Sequence, residues 1–242
     1  MGQVPAFDAT PFGIVGDGRL ARHLQHYFDL LGLPVRSWSR RAAGALSPVD
    51  ALAPCGAVLI LIRDAEIVPF IDAWPALAEK RLVHCSGSLV TPAAEGAHPL
   101  MTFGPALYTL ADYQAIPFVL ETGGTPFADL LPGLPNPSFA IPAADRPYYH
   151  ALCVMAGNFS TVLWVTLFGE LQERFGIPAS AAHPYMARVT ANVMADAARA
   201  LTGPLSRGDT TTITSNLKAL DGDPFHAVYS AFVRAHDDDQ HS

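Results

Sequence analysis

Residues 12–24 read FGIVGDGRLARHL, and the six from Gly16 to Ala21 decide the fold. An apolar run, Phe12 to Val15, stops at the first glycine, and a helix-like segment, Arg19 to Leu31, opens just after the second. This is the pattern G-x-G-x-x-A in the strand, turn and helix context that gives it meaning. Gly16 permits the tight turn, Gly18 lets a pyrophosphate approach the backbone, and Ala21 lets helix and strand pack closely. Backbone N–H groups at the helix start, helped by the helix dipole, then face the phosphates. Gly16, Asp17, Gly18, Arg19, Leu20 and Ala21 are the expected cofactor loop. Asp17 is its odd member, because a carboxylate aimed at a pyrophosphate repels it. Its side chain is expected to face solvent or to cap N–H groups at the helix start, with Arg19 offsetting its charge.

The end of the next apolar run separates the two nicotinamide dinucleotides. NAD-binding domains place an Asp or Glu there, about 20 residues past the loop, on the ribose hydroxyls. This chain has Val35-Arg36-Ser37-Trp38-Ser39-Arg40-Arg41 and no acid. Ser39, Arg40 and Arg41 offer a hydroxyl and two guanidinium groups to a 2'-phosphate, which Arg binds in forked pairs. NADP is therefore the expected cofactor; the competing reading makes Arg40 and Arg41 a solvated surface pair.

Further outward, short apolar runs recur at Ala57 to Ile62, Leu82 to Cys85, Gly96 to His98, Pro117 to Leu120 and Ser138 to Ile141, separated by segments long enough for crossovers. Runs without polar alternation suit strands buried on both faces of a mostly parallel sheet. Arg19 to Leu31 and Asp64 to Ala78 are the clearest crossover helices, the second interrupted by Pro69 and Pro75. Beyond Ile141 no strand signal remains. Helical segments follow at Arg146 to Phe175, His183 to Leu201, Thr210 to Leu220 and Pro224 to His236, and Asp237 to Ser242 reads as a short polar tail. The expected architecture is α/β: a Rossmann-type, mostly parallel sheet over residues 1–142, then an all-α domain over 143–242. Val154 to Phe168 is apolar nearly all round, so it needs cover on most sides. A second subunit is the expected source, giving a homodimer through the helical domain; burial within its own chain is the alternative.

Ligands of open α/β sheets bind beyond the carboxyl ends of the strands. The residues there are Ile62, Arg63 and Asp64, then Ser86, Gly87 and Ser88, then His98 with Thr102. Ile62, Arg63, Ser86 and Gly87 join the expected cofactor contacts. His98, followed by Pro99, is expected to project toward the nicotinamide as a proton donor, since imidazole exchanges protons near neutral pH; a structural histidine bonded to the strand end is the alternative. In the helical part, His150 and Asn158 are eight residues apart and so roughly on one face. Both are candidate site residues, with Asn158 orienting substrate. Arg207 is read either as a carboxylate ligand or as a scaffold partner of Asp209.

Composition excludes other classes. A net charge of -7 without a basic stripe argues against nucleic acid. The longest apolar stretches, such as Ala57 to Ile62 and Val162 to Phe168, fall well short of the ~20 residues that span a bilayer. The start MGQVPAFDATPF lacks a basic segment followed by an apolar core, so no leader is expected, and a soluble, cytoplasmic protein is. Cys55, Cys85 and Cys153 are far apart in apolar surroundings and are expected to be buried free thiols. The nine histidines show no ligand spacing, so no metal is expected.

Together the N-terminal loop, the Ser86-Gly87 pair, His98-Pro99-Leu100, Met155-Ala156-Gly157-Asn158 and the loop from Thr202-Gly203-Pro204 to Arg207-Gly208-Asp209 resemble the Rossmann-like proteins with a C-terminal domain of unknown function 2520. The resemblance covers residues 11 to 235. That family is similar in architecture to pyrroline-5-carboxylate reductases, ketopantoate reductases and β-hydroxyacid dehydrogenases, which implies an NADP-linked reductase fold and a dimer through the helical domain. One departure limits the carry-over: the β-hydroxyacid dehydrogenases have a lysine four residues before the asparagine, and Val154 stands there. The expected function is an NADP-dependent oxidoreductase reducing a small carbonyl or imine compound in an interdomain cleft, with His98 or His150 as acid/base group. The alternative is a non-catalytic NADP(H)-binding sensor or assembly protein.

Overall fold

The computed structural model describes residues 10–42 and 44–240. The first nine residues of the segment on which the absence of a leader was read, and the last two residues of the polar tail, lie outside the described residues. Packing divides the chain into two compact units that meet between Ser160 and Thr161, further along than the expected change at residues 142–143.

In the first unit, β1 (Phe12–Val15), β2 (Val35–Trp38), β3 (Ala57–Ile60), β4 (Arg81–His84) and β5 (Glu95–Gly96) form one sheet in the order β2-β1-β3-β4-β5, every pair parallel. Side chains alternate between two cores as the strand period of two requires. Ile14, Leu59 and Val83 enter one apolar cluster, together with Leu24, Tyr27 and Phe28 of the helix Arg19–Leu30. Val15, Val58, Ile60 and Leu82 enter the other, together with Ile67 and Ile71 of the helix Asp64–Ala73. With Gly13 on that second face, β1 lies close to β3: a Cβ there would be 2.9 Å from the Val58 side chain. β2 lies on one side of β1 and β3 on the other, so the crossovers diverge and a crevice opens beyond their carboxyl ends.

The apolar run read as one strand over Gly96 to His98 is divided. Gly96 ends the five-stranded sheet, while His98 and Pro99 form β6 of a second sheet with β7 (Phe118–Glu121) and β8 (Ser138–Ile141). β6 runs antiparallel to β7, and β8 parallel to it. The helix expected to reach Ala78 ends at Ala73, and Pro75–Glu79 continues as a 3-10 turn, because Pro75 cannot supply the N–H that a continuing helix needs. His23 is buried in the first core with both ring nitrogens partnered, to the Tyr113 hydroxyl at 2.8 Å and the Gly104 carbonyl at 2.9 Å.

The helix that begins at Arg146 continues to Glu173 and contains one wide π turn, Val154–Phe159. With its preceding 3-10 turn, Ala143–Glu173 has the length and composition to cross a membrane. That is a matter of length and composition alone: glycine, serine and threonine interrupt its apolar runs without making it polar. The second unit continues with His183–Ala195, Thr210–Ala219 and Phe225–Gln240. His183–Ala195 stops six residues before the expected Leu201, at extended Asp196. Phe225–Gln240, in contrast, takes in residues read as a polar tail. Inside this unit Trp164 meets Tyr185 edge-on at 5.5 Å and Phe168 meets His183 at 5.8 Å. Among its described residues only Ala182 is buried.

Candidate functional site

A groove of about 1370 Å³ lies at the crevice beyond β1 and β3, wholly within the first unit. Gly16 begins it in a conformation only glycine adopts readily, with φ 120°. A Cβ there would be 2.4 Å from the Leu61 carbonyl oxygen, so the turn is pressed against the end of β3. Gly18 is the N-cap of Arg19–Leu30 and differs in kind: a Cβ on it would meet nothing within 4 Å, and no side chain caps the helix. The first N–H groups of this twelve-residue helix are thus left for a ligand. The cradle fits a dinucleotide pyrophosphate on both counts.

Asp17 neither caps the helix nor stands alone. Its Oδ2 accepts from Arg41 Nη2 at 2.9 Å and Nε at 3.2 Å, which joins the loop after β1 to the loop after β2. The Ser39 side chain is buried and its hydroxyl accepts from the Ala42 N–H at 3.3 Å, shaping the turn that presents Arg40 and Arg41. All three line the groove with Arg19, Leu20, Ile62, Arg63 and Ser86. Of the expected cofactor residues, Ala21 lies in the core and Gly87 lies outside the groove lining. The far wall is apolar, and in it Trp38 packs on Phe70 at 5.8 Å. Neither aromatic was expected at the site, and the residue just before Ser39 was the signal for Trp38.

The inner end of the groove is polar. The Ser86 hydroxyl donates to Asp64 at 2.5 Å and accepts from the N–H groups of Leu89 and Ser88. Gly87 then lies flat against His150, whose Nδ1 would be 2.2 Å from a Cβ at that position. The rings of His150 and His98 meet edge to face at 5.6 Å, and His98 Nδ1 bonds the Tyr149 hydroxyl at 2.8 Å. His98 therefore sits behind the Ser86–Gly87 turn instead of on the groove wall. Burial, then the neighbouring His150 and Arg146, push its pKa down to about 4, against a smaller opposite pull from Asp64. Burial also raises the Tyr149 hydroxyl well above the ordinary phenol range.

Asn158 is exposed within the π turn. Eight residues make 2.2 ordinary helical turns, and the π turn absorbs about one more residue, which brings Asn158 closer to the line of His150. Asp209 caps Thr210–Ala219 by accepting from Thr212 N–H at 3.0 Å, and this bond chiefly holds its carboxyl below the usual range. Among the described residues it makes no direct ion pair with Arg207. Cys55 and Cys85 are buried thiols, whereas Cys153 is only partly covered, which corrects the expectation for that residue. No group of three metal-binding side chains occurs among the described residues.

Residues 122–236 match the domain of unknown function DUF2520, which follows the N-terminal Rossmann-like region. No curated protein matches the chain. Among solved structures, a Bacteroides fragilis protein described as a candidate NADP oxidoreductase is 22% identical, with a TM-score of 0.74 over 94% of this chain and 98% of that one. A Streptomyces aurantiacus imine reductase is 18% identical, with a TM-score of 0.62 over 94% of each chain. A reductive aminase from Aspergillus terreus, solved with NADPH and ethyl levulinate, is 15% identical, with a TM-score of 0.59 over 93% of this chain and 87% of that one. At these identities the likeness shows a shared Rossmann-like fold.

Proposed function

We propose that this chain is an NADP-dependent oxidoreductase that reduces a small carbonyl or imine compound. The observation that carries the reading is the uncapped helix start at Gly18, facing a groove whose second corner holds Ser39, Arg40 and Arg41 and no carboxylate of its own. Bound NADPH would supply a hydride. The N–H groups at Gly18 and Arg19 hold the pyrophosphate, and Arg40 and Arg41 take the 2'-phosphate, Arg41 exchanging Asp17 for it. Ser86, fixed by Asp64 and by two backbone N–H groups, closes the inner end and keeps its hydroxyl in one orientation.

His98 is uncharged at neutral pH and lies behind the Ser86–Gly87 turn, so it is given no role as a standing imidazolium donor. The imine side is favoured by the imine reductase and reductive aminase among the fold's neighbours; there an iminium carbon takes the hydride and leaves a neutral amine. Asn158, set near the line of His150, would orient the substrate nitrogen. A cytoplasmic setting suits the cofactor and the three free thiols.

The second unit leaves large apolar side chains on three elements open, including Val165, Tyr185 and Met194. A second copy of the chain would cover them, giving the homodimer. The absent lysine at Val154 favours a second reading, a sensor that binds NADP(H) without turnover. Calorimetric titration with NADPH and NADH, followed by NADPH oxidation across cyclic imines, keto acids, and ketones with added amine, decides between them. Micromolar NADPH binding with at least tenfold preference over NADH, lost in Gly16→Ala, and turnover of an imine are expected. NADPH binding without turnover on the whole panel points to the sensor, and no binding of either dinucleotide overturns both.

A further inference from the structure

Among the described residues Arg146 is the largest fully buried side chain, with 0% exposure at the first position of its helix. Its Nη2 donates to the Ser86 carbonyl at 2.5 Å. Its Nε is 3.6 Å from Glu121 Oε1, an ion-pair distance too long for a hydrogen bond. Nε and Nη1 have no hydrogen-bond partner. The guanidinium lies flat on Gly96, where a Cβ would be 3.0 Å from Cζ, so the backbone leaves room for it. A buried cation with one good bond is a poor stabiliser, and an apolar side chain of similar volume would cost less. Its place therefore calls for a role beyond packing, and its neighbours supply one: the carbonyl it holds belongs to the turn between groove and histidine pair.

We propose that Arg146 is a positioning residue: through the Ser86 carbonyl it fixes the Ser86–Gly87 turn, and through that turn the seat of His150 and His98 against the groove. Charge follows from the same placement. His98 is faced by His150, Tyr149 and Arg146 from the long helix and by Asp64 from the helix after β3, while Glu121 of β7 faces Arg146. The Arg146 cation is one of the groups that keep His98 uncharged, and it acts likewise on His84, which is fully buried with both ring nitrogens unpartnered. His23, partnered at both nitrogens in the same unit, is what a purely structural histidine looks like here.

The test uses the full chain with Arg146→Met and Arg146→Lys. Hydrogen exchange is read at the Ser88 and Leu89 amides, which bond the Ser86 hydroxyl, His98 is titrated by ring NMR, and NADPH affinity is read by calorimetry. In Arg146→Met, exchange at Ser88 and Leu89 is expected to quicken at least tenfold while Val58 to Ile60 stay protected. The His98 midpoint is expected to rise by about one unit toward its ordinary value. Arg146→Lys keeps the charge without the fork, so the low midpoint is expected to persist while exchange still quickens. A folded Arg146→Met with the parent midpoint and parent exchange overturns the proposal and leaves Arg146 as packing. Should Arg146→Met not fold, Gly96→Ala presses on the guanidinium, and parent exchange at Ser88 and Leu89 in that variant overturns the proposal equally. The affinity arm alone rests on the NADPH reading: a parent that binds no NADPH sinks that reading, while exchange and titration still decide this one.

Discussion

The two units use the same apolar alphabet to opposite ends. In the first, Ile14, Leu59, Val58 and Ile60 point alternately into two cores and are almost inaccessible. In the second, Val165 is 64% exposed and Met194 77%. The sheet of the first unit is therefore covered by its own chain, although Phe139 and Tyr148 of that unit stay open at 62% and 70%, whereas in the second unit nearly every apolar side chain is left at least partly uncovered. Exposed apolar patches mark interaction surfaces, and the second copy proposed above is the cover to be tested.

The largest effect should come from charging the open side. Val165→Asp combined with Met194→Asp is expected to convert the proposed dimer to a single chain, read by light scattering, and to remove any dependence of Tm on protein concentration. If the parent is already a single chain at every concentration and binds lipid vesicles instead, a membrane is the cover and the contrast must be redrawn. Next, Leu59→Ala in the first unit is expected to lower stability by about 2–5 kcal/mol in urea melts, equally at all protein concentrations. A concentration-dependent loss there would break the distinction.

Acid should also act on the first unit. His84 and His98 have folded-state pKa values of about 4, below the ordinary 6.5, so the unfolded chain binds more protons between those limits. Their contribution is present above pH 6.5 and is lost as pH falls toward 4, on the order of 2–3 kcal/mol for each histidine by pH 4.5. Denaturant melts across that window check it. The smallest effect belongs to the exposed Asp17–Arg41 pair. Asp17→Asn should change stability by less than about 1 kcal/mol and tighten NADPH binding a few-fold, as calorimetry would show.

The parallel sheet was legible because buried strands leave apolar runs and glycine turns leave spaced gaps; β1 and β2 end where the residues say they do. The division at Ala97 was not, since one run of residues carries no mark of which of two sheets each end will join. Within the candidate site, the loop Gly16 to Ala21 and the corner Ser39 to Arg41 could be read locally, because their function lies in their own backbone and spacing. Arg146 could not: nothing about an Arg-Pro at a helix start shows that it will be sealed under a carbonyl sixty residues earlier. Likewise His98 was legible as a candidate but not as a neutral one, because its charge state depends first on burial and then on His150 and Arg146 from another element.

The Asp17–Arg41 contact has one more consequence for the phosphate corner. Before any ligand arrives, that corner carries its own competitor, a carboxylate already seated on the guanidinium. An incoming anion must do better than a single negative charge held in place by the chain. A phosphate dianion, with its higher charge and three acceptor oxygens, is better equipped for that than chloride or a simple carboxylate. Under the proposed NADP(H) reading the pair would set a modest threshold, one that the 2'-phosphate crosses and simple monoanions do not.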